Sequence, residues 1–426
     1  MVAPCAGDDP IVWVKSSACR EATGSVRCGR GALDYALKDS HIPLCGPTNN
    51  SLRHFNRSMK LTCFEKLSRQ RDHRLARLGW PRDTQSCTSY NGTCAYRIMV
   101  VGVSNAQHLW SSLGKDDINH MWDVLPDLRR RHPGCLTTPP DGRLHSFLPH
   151  AHVDYNQWFV VTPLRSPMQL GHITGLSCWA PHNMAIGGLG LRWLVRNAKE
   201  PYDVVVVHVG MWDASFTSRN ITAFELGLEV SVAAVVQAWP GVRVILVACT
   251  PCGGKFKNAE AMTPSPGCRF VKDINRAARR IADRHKPSTA YLDAHQMTTS
   301  RPGREISGYP PGIWADETHG WHFANVESRG RWRHLRNMTP PHAGGEMWRS
   351  MANRVLDMIC PGGSFSVPWE LWDKSRRPRL PVERGADEYE LLFGYRTPPL
   401  WSNWTNRQRL EMRRHGRINP TDAGSH

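Results

Sequence analysis

The chain has 426 residues and a formal net charge of +17 at pH 7. This length is enough for two or three domains of ordinary size, or for one larger α/β domain with additions at both ends. The charge favours an anionic partner, but the sequence has no zinc-finger, RRM or P-loop pattern, so we expect no nucleic-acid partner.

No stretch of 18 or more apolar residues occurs, and residues 1–20 have no continuous apolar segment. We therefore expect neither a signal peptide nor a membrane anchor in this sequence. The 17 tryptophans suit stacking on sugar rings as well as packing in a core.

Cysteine usage indicates an oxidising compartment. Eight of the 13 cysteines lie between Cys5 and Cys135, and their spacing does not resemble paired zinc ligands. We expect most of them to form disulfides, with one odd cysteine free or paired between chains. Six N-x-[ST] sequons favour the same compartment, at Asn49, Asn56, Asn91, Asn220, Asn337 and Asn403.

The chain divides into three parts. Residues 1–94 are rich in cysteine, arginine and turn formers, which predicts a loop-dominated extension pinned by disulfides. Residues 95–360 alternate apolar runs with helical stretches. Residues 361–426 form a basic tail rich in proline and tryptophan.

Within residues 95–360, four short runs are apolar at most positions, as expected of parallel strands buried on both faces. Helices are predicted over 223–239, 270–286 and 345–360, and a long insert over about 111–182. Strands alternating with helices predict a three-layer α/β/α sandwich with a central parallel sheet. The four runs are RIMVVGV (97–103), YDVVVVHVG (202–210), VRVILVAC (242–249) and TAYLDAH (289–295).

Ser104 stands at a strand-to-helix corner in RIMVVGVSNAQHLW, residues 97–110. Reactive groups of α/β proteins collect at the carboxyl ends of strands, where helix N-termini offer free N–H groups to an anion. A serine there is also a good helix N-cap. The corner alone leaves a nucleophile and a cap as alternatives.

The corner resembles the first block of the SGNH or GDSL hydrolases, nearest the branch of the trichome-birefringence-like polysaccharide O-acetyltransferases and PC-esterases. In that block the strand ends in Gly-Asp-Ser, whereas this sequence has Gly102, Val103 and Ser104. The resemblance implies that Ser104 is the nucleophile and that its N–H is one oxyanion donor. Val103 replaces an aspartate that mainly steadies the turn in the family.

Two further stretches resemble the oxyanion blocks of this family. NMAIGGLGLRWL (183–194) implies that the N–H of Gly188 donates to the oxyanion. Gly210 and Trp212 stand where the hydrolases have Gly-x-Asn, and this departure is shared with the polysaccharide-modifying branch. The indole N–H of Trp212 can donate one hydrogen bond to the oxyanion, and core packing is the equal alternative.

The last family block is Asp-x-x-His, found here as Asp316 and His319 in WADETHGWHF (314–323). This spacing lets the carboxylate hold the histidine Nδ1–H while Nε2 faces a serine, as a Ser-His-Asp relay requires. His322 and His342 stay alternatives. His342 has the usual distance from the last helix, but only His319 has a carboxylate at the right spacing.

The resemblance covers residues 95–360 and implies transfer or hydrolysis of an acyl ester, most simply acetyl, on a glycan or polysaccharide acceptor. It implies no metal or cofactor and leaves the acyl donor open. We expect a secreted protein or a resident of the secretory pathway lumen, such as the Golgi. The alternative is a catalytically silent SGNH-like domain that binds glycans or acts as a scaffold.

Cys249 and Cys252 form a C-x-x-C pair. A thioredoxin-like role is not expected, because no helix opens directly from the pair. A disulfide between Cys252 and Cys268 is the interpretation we favour.

Overall fold

The computed structural model describes residues 11–15, 41–45, 50–51, 55, 57–77, 89–90, 93–102, 104–114, 143–157, 201–216, 220–239, 241–250, 254–258, 261–264, 270–299 and 343–363. The elements in these ranges are, in chain order, β1 (Ile11–Lys15), β2 (His41–Cys45), β3 (Asn50–Ser51), α1 (Arg57–Arg77), β4 (Ser89–Tyr90), β5 (Thr93–Cys94), β6 (Tyr96–Gly102), α2 (Ser104–Gly114), β7 (Arg143–Leu148), β8 (Ala151–Gln157), β9 (Val204–His208), α3 (Met211–Phe216), α4 (Ile221–Ala238), β10 (Arg243–Val247), β11 (Gly254–Asn258), β12 (Ala261–Pro264), α5 (Val271–Arg284), β13 (Thr289–Leu292), α6 (Ala294–Thr299) and α7 (Ala343–Ile359).

The central sheet has six strands in the order β13-β10-β9-β6-β8-β7. The first five are mutually parallel, and β7 is an antiparallel edge strand. The middle strands β6 and β9 are buried at nearly every position, because helices cover both of their faces. Three small antiparallel sheets, β1-β2-β3, β4-β5 and β11-β12, complete the described strands.

Helices lie in two packed pairs. α4 packs against α5, and α2 packs against α7. The chain passes from β6 through α2 to β8, towards one edge of the sheet, and from β9 through α4 to β10, towards the other edge. Because such crossovers are right-handed, α2 and α4 lie on opposite faces of the sheet. The predicted three-layer α/β/α sandwich with a central parallel sheet is confirmed, with β6 and β9 as central strands as predicted.

The sequence analysis did not predict β7 and β8, which lie in the supposed insert. β8 pairs with β6 over its whole length, from Tyr96 opposite Ala151 to Gly102 opposite Gln157. The insert therefore adds the fifth parallel strand. Its signal was the alternation in AHVDYNQ, where apolar residues alternate with polar ones at a period of two.

α1 was not predicted either, because its buried face contains charged and polar side chains. The buried positions nevertheless follow a helical stripe: Lys60, Cys63, Phe64, Leu67, Ser68, Arg71 and Leu75. The ammonium group of Lys60 donates to the Ser112 and Leu113 carbonyl oxygens, at 3.3 and 2.7 Å, and so caps the C-terminus of α2.

A buried ion-pair cluster joins α1 to the amino end of the sheet. The Asp203 carboxylate pairs with Arg71, Nε to Oδ2 2.9 Å, and with the guanidinium of Arg74. It also accepts the backbone N–H of Arg97 at 2.7 Å. These contacts make α1 part of the same packed unit as the sheet, although it lies in the predicted extension.

A disulfide between Cys63 of α1 and Cys360, the residue after α7, links the extension to the end of the α/β domain. The sequence had left the pairing of the cysteines open, and this disulfide indicates a non-cytosolic compartment. Cys249 is a free, buried thiol. The expected Cys252–Cys268 pair lies outside the described residues.

α4 has the length and apolar composition of a membrane-crossing helix. Its buried residues include Phe224, Leu228, Val232 and Val236, which join the hydrophobic core that α4 shares with the sheet. The same composition is expected of the core helix of an α/β domain, and this is the position of α4 here.

Candidate active site

The corner at Ser104 lies at the carboxyl end of β6, in the middle of the sheet. β6 ends at Gly102 and α2 begins at Ser104, with one residue between them. The first N–H groups of a helix have no partner within that helix, so the start of α2 offers donors to an anion. The side chain of Ser104 lies outside the described part of the structure.

Position 102 requires a glycine because β6, β9 and α2 approach one another closely there. Its φ of 152° is unfavourable for residues with a side chain. A Cβ atom at this position would lie 2.1 Å from the His208 carbonyl oxygen on β9 and 2.8 Å from the Ala106 Cβ on α2. The corner is therefore tightly packed against the end of the neighbouring strand.

The Gly210 block is also at this edge. Gly210 follows β9 with a φ of 109°, and a Cβ there would lie 2.5 Å from the Ile274 side chain. α3 then begins at Met211, whose Sδ accepts a hydrogen bond from the Asn105 Nδ2 at 3.1 Å. The structure thus brings the Ser104 and Gly210 blocks together. Trp212 is the second residue of α3, and its side chain is outside the described part.

His208 was not singled out in the sequence, yet it ends β9 beside Gly102. It is buried, and its ring lies edge-on to the Trp348 ring of α7, with centroids 6.2 Å apart. This contact places the first turns of α7 near the carboxyl edge of β9. A helix rises about 1.5 Å per residue, so the start of α7 at Ala343 is about 8 Å along the axis from Trp348.

The carboxyl end of β10 is held by Asn275 of α5. The Asn275 Oδ1 accepts the Cys249 N–H at 2.7 Å, and its Nδ2 donates to the Cys249 carbonyl oxygen at 3.0 Å. The thiol donates to the Val209 carbonyl oxygen at 3.1 Å. Burial, reinforced by the charge of Asp213, raises the pKa of the Cys249 thiol, so it is protonated at neutral pH and is no nucleophile.

The remaining predicted site residues, Gly188, Asp316, His319, His322 and His342, lie outside the described residues. Among the side chains that the structure does describe, no group of three His, Cys, Asp or Glu residues is arranged to hold a metal ion. The described part of the site therefore consists of the Ser104 corner, the Gly210 turn and the buried residues that pack around them.

No protein-family model matches the sequence, and no curated protein is significantly similar to it. Similar solved structures include a peptidoglycan O-acetylesterase, 13% identical over 50% of this chain and 47% of its own, with a TM-score of 0.27. This chain thus spans less than half of that protein.

Two other similar structures are matched along nearly their whole length. One is a carbohydrate acetylesterase from Sinorhizobium meliloti, 12% identical over 62% of this chain and 98% of its own, with a TM-score of 0.29. The other is the periplasmic domain of a lipopolysaccharide acetyltransferase from Salmonella ser. Paratyphi A, 10% identical over 71% and 98%, with a TM-score of 0.32. Scores of this size identify no activity. The five-stranded parallel sheet with helices on both faces itself fits the SGNH hydrolase-like fold expected from the sequence.

Proposed function

We propose that this protein transfers or hydrolyses an acyl ester, most simply acetyl, on a glycan, with Ser104 as the nucleophile. The observation that carries the proposal is the position of Ser104. It is the first residue of α2, one residue after the end of the central strand β6, and the Gly210 turn lies beside the start of α2. An activated serine needs such a place, because the free N–H groups of the helix start stabilise the negative charge that develops on the acyl oxygen.

In the proposed reaction, the Ser104 Oγ attacks the acyl carbonyl carbon while His319 takes the hydroxyl proton. His319 then gives this proton to the leaving oxygen, and an acyl-serine ester remains. Water or a sugar hydroxyl attacks that ester and loses its proton to His319. The bond between the acyl group and the Ser104 Oγ then breaks, His319 returns the proton to this oxygen, and either the acid or a new ester is released. Water as acceptor makes the protein an esterase, and a sugar hydroxyl makes it an O-acyltransferase.

The other proposed roles are electrostatic. Asp316 orients His319 and stabilises its imidazolium form. The N–H groups of Ser104 and Gly188, with the indole N–H of Trp212 as a further donor, bind the oxyanion. Each oxyanion donor is worth about 3 to 4 kcal/mol of barrier in comparable enzymes.

The contact between Trp348 and His208 bears on the choice of base. It places the first turns of α7 near the carboxyl edge of β9. His342 directly precedes α7, whereas His319 has the carboxylate spacing. We retain His319 as the proposed base and treat His322 and His342 as the alternatives that variants must separate.

We propose that residues 95–360, together with α1, form the catalytic unit and that it works in the secretory pathway lumen, such as the Golgi, or outside the cell. The Cys63–Cys360 disulfide supports an oxidising compartment. The net charge of +17 and the tryptophan content support an anionic glycan as the acceptor.

The decisive experiment is labelling with a fluorophosphonate probe, followed by identification of the labelled residue. We expect the unmodified protein to label at Ser104 and the Ser104→Ala variant not to label. Ser231→Ala is the matched control. Ser231 is buried, and its hydroxyl donates to the Gly227 carbonyl oxygen within α4, at 2.7 Å. Labelling of Ser104→Ala at the wild-type rate would overturn the proposal.

Turnover of acetylated glycans separates the candidate bases. We expect Ser104→Ala and His319→Ala to reach nearly the same residual activity, because members of a relay act as a unit. Asp316→Asn should cost less, since the imidazole loses only its orienting group. If His342→Ala abolishes activity and His319→Ala does not, the base is His342.

The second candidate function is a silent SGNH-like domain that binds glycans or acts as a scaffold. Val103 and Trp212 favour it, because both depart from the hydrolase blocks. Absence of probe labelling and of turnover in the unmodified protein, together with retention on an acetylated glycan resin, would establish it. Improved activity in Val103→Asp would instead mark the protein as a weakened enzyme.

A further inference from the structure

The strand β8 contacts the Ser104 corner through the hydroxyl group of Tyr155. This hydroxyl donates a hydrogen bond to the Gly102 carbonyl oxygen at 3.0 Å. Gly102 is the last residue of β6 and lies two positions before Ser104. Tyr155 is paired in register with Val100, so its side chain reaches along the neighbouring strand to the point where the chain turns.

The same strand also holds the helix that follows the corner. The indole N–H of Trp110 on α2 donates to the Val153 carbonyl oxygen at 2.7 Å. The Trp110 and Tyr155 rings lie 6.1 Å apart, centroid to centroid. β8 therefore anchors the chain on both sides of Ser104, at Gly102 before it and at Trp110 after it.

The chemistry of Tyr155 suits a permanent hydrogen-bond donor. The residue is 2% exposed, and its burial raises the pKa of the phenol, so the hydroxyl keeps its proton throughout the physiological range. A buried carbonyl oxygen without its donor is costly, so the Gly102 carbonyl is held in this direction. Because the peptide unit is planar, the direction of this carbonyl fixes the direction in which the chain leaves Gly102.

We infer that Tyr155 is a positioning residue for the nucleophile: its hydroxyl fixes the Gly102 carbonyl and thereby the backbone that presents Ser104. This inference rests on the proposed role of Ser104. It assigns a function to β8, which the sequence placed in an insert without a role. Tyr155 acts through the Gly102 carbonyl, so its proposed effect is on geometry.

The test compares Tyr155→Phe with the matched control Tyr202→Phe. Both changes remove only a hydroxyl from a buried tyrosine, Tyr155 on β8 and Tyr202 two residues before β9. The Tyr202 hydroxyl donates to the Asp154 Oδ2 at 2.6 Å, near the amino ends of the strands and away from the corner. The measurements are the rate constant for fluorophosphonate labelling and kcat and KM with p-nitrophenyl acetate, each with its pH profile, and the melting temperature of each variant.

We expect Tyr155→Phe to lower the labelling rate and kcat about tenfold, because small displacements of a reacting group have effects of this order. KM should stay within about twofold, and the midpoint of the pH profile should not move, since the phenol is not the base. Tyr202→Phe should keep the wild-type rates within about twofold, although it also lowers the melting temperature.

Equal rates in the two variants would overturn the inference while leaving the proposed function intact. A shifted pH midpoint in Tyr155→Phe would also overturn it, because the phenol would then take part in proton transfer. If the unmodified protein does not label at Ser104, the proposed function itself fails and the positioning role fails with it.

Discussion

Replacing Gly102 with alanine tests whether the packing at the Ser104 corner is as tight as the structure indicates. The added Cβ would lie 2.1 Å from the His208 carbonyl oxygen, a distance that must grow to about 3 Å before the contact is tolerable. The oxygen belongs to the backbone of β9, and the second close atom, the Ala106 Cβ, is fixed on α2. Either the corner or the strand must therefore move by about 1 Å.

This movement has an effect on stability and an effect on activity. Overpacking costs about 1 to 3 kcal/mol, and the unfavourable φ of 152° adds about 1 to 3 kcal/mol of backbone strain. We expect a total loss of about 2 to 6 kcal/mol in the free energy of unfolding. Misplacing a reacting group by 1 Å costs about a hundredfold in rate, so probe labelling of the folded fraction should fall by about that factor.

Gly362→Ala is the matched control. Gly362 also has a positive φ, 83°, but a Cβ there would meet no atom within 4 Å. Its replacement should cost only about 1 to 2 kcal/mol of backbone strain and leave labelling unchanged. Urea unfolding followed by circular dichroism measures the stability, and the fluorophosphonate probe measures the reactivity. If Gly102→Ala matched Gly362→Ala in both assays, our description of the corner would be wrong.

Three further predictions concern the structure that supports the site. Asp203→Asn should lower the free energy of unfolding by about 3 to 5 kcal/mol, because it leaves buried guanidinium groups without their carboxylate. The control Asp283→Asn removes only a surface ion pair, so the free energy measured by urea unfolding should change by less than about 1 kcal/mol. Burial lowers the pKa of His285 and His295, so below about pH 6.5 the unfolded state binds more protons than the folded state, and stability falls as the pH drops from there through the lowered pKa values. When both residues are replaced by glutamine, the free energy of unfolding measured in urea should fall less steeply between pH 7.5 and 5. An equal decrease in the variant and the unmodified protein would contradict the assignment. Cys63→Ala should cost about 3 to 5 kcal/mol, because it opens a disulfide that joins residues 297 positions apart; thermal unfolding checks this, and a variant as stable as the unmodified protein would show that the link is dispensable.

Much of the α/β domain was predictable because each central strand has a pattern that is visible in its own short stretch of sequence. A strand covered on both faces must be apolar at nearly every position, and YDVVVVHVG and VRVILVAC have this pattern without any knowledge of their neighbours. The helices α4 and α5 were equally visible, α4 from its length and apolar content and α5 from apolar residues that recur on one face with the helical period. The place of Ser104 at the end of β6 follows from this order of strand, turn and helix.

The supporting contacts were not predictable in this way. α1 buries Lys60 and Arg71, residues that sequence patterns assign to solvent, because their charged ends find carbonyl oxygens on α2 and the Asp203 carboxylate. β8 was hidden because its second face buries the charged Asp154, whose carboxylate pairs with Arg97 and accepts a hydrogen bond from the Tyr202 hydroxyl. In each case the partner that permits burial is distant in the sequence.

The sequence by itself determined the class of fold, the central strands and the location of the strand-to-helix corner at Ser104, because a strand buried on both faces of a sheet has a continuous apolar pattern. Only the tertiary structure decided what surrounds that corner. The hydroxyl of Tyr155 meets the Gly102 carbonyl across 53 residues, and the carbonyl of His208 leaves no room for a side chain at Gly102 across 106 residues of chain. Such contacts depend on the register between strands and on which helix covers which face, and both are set by long-range packing that no local pattern records.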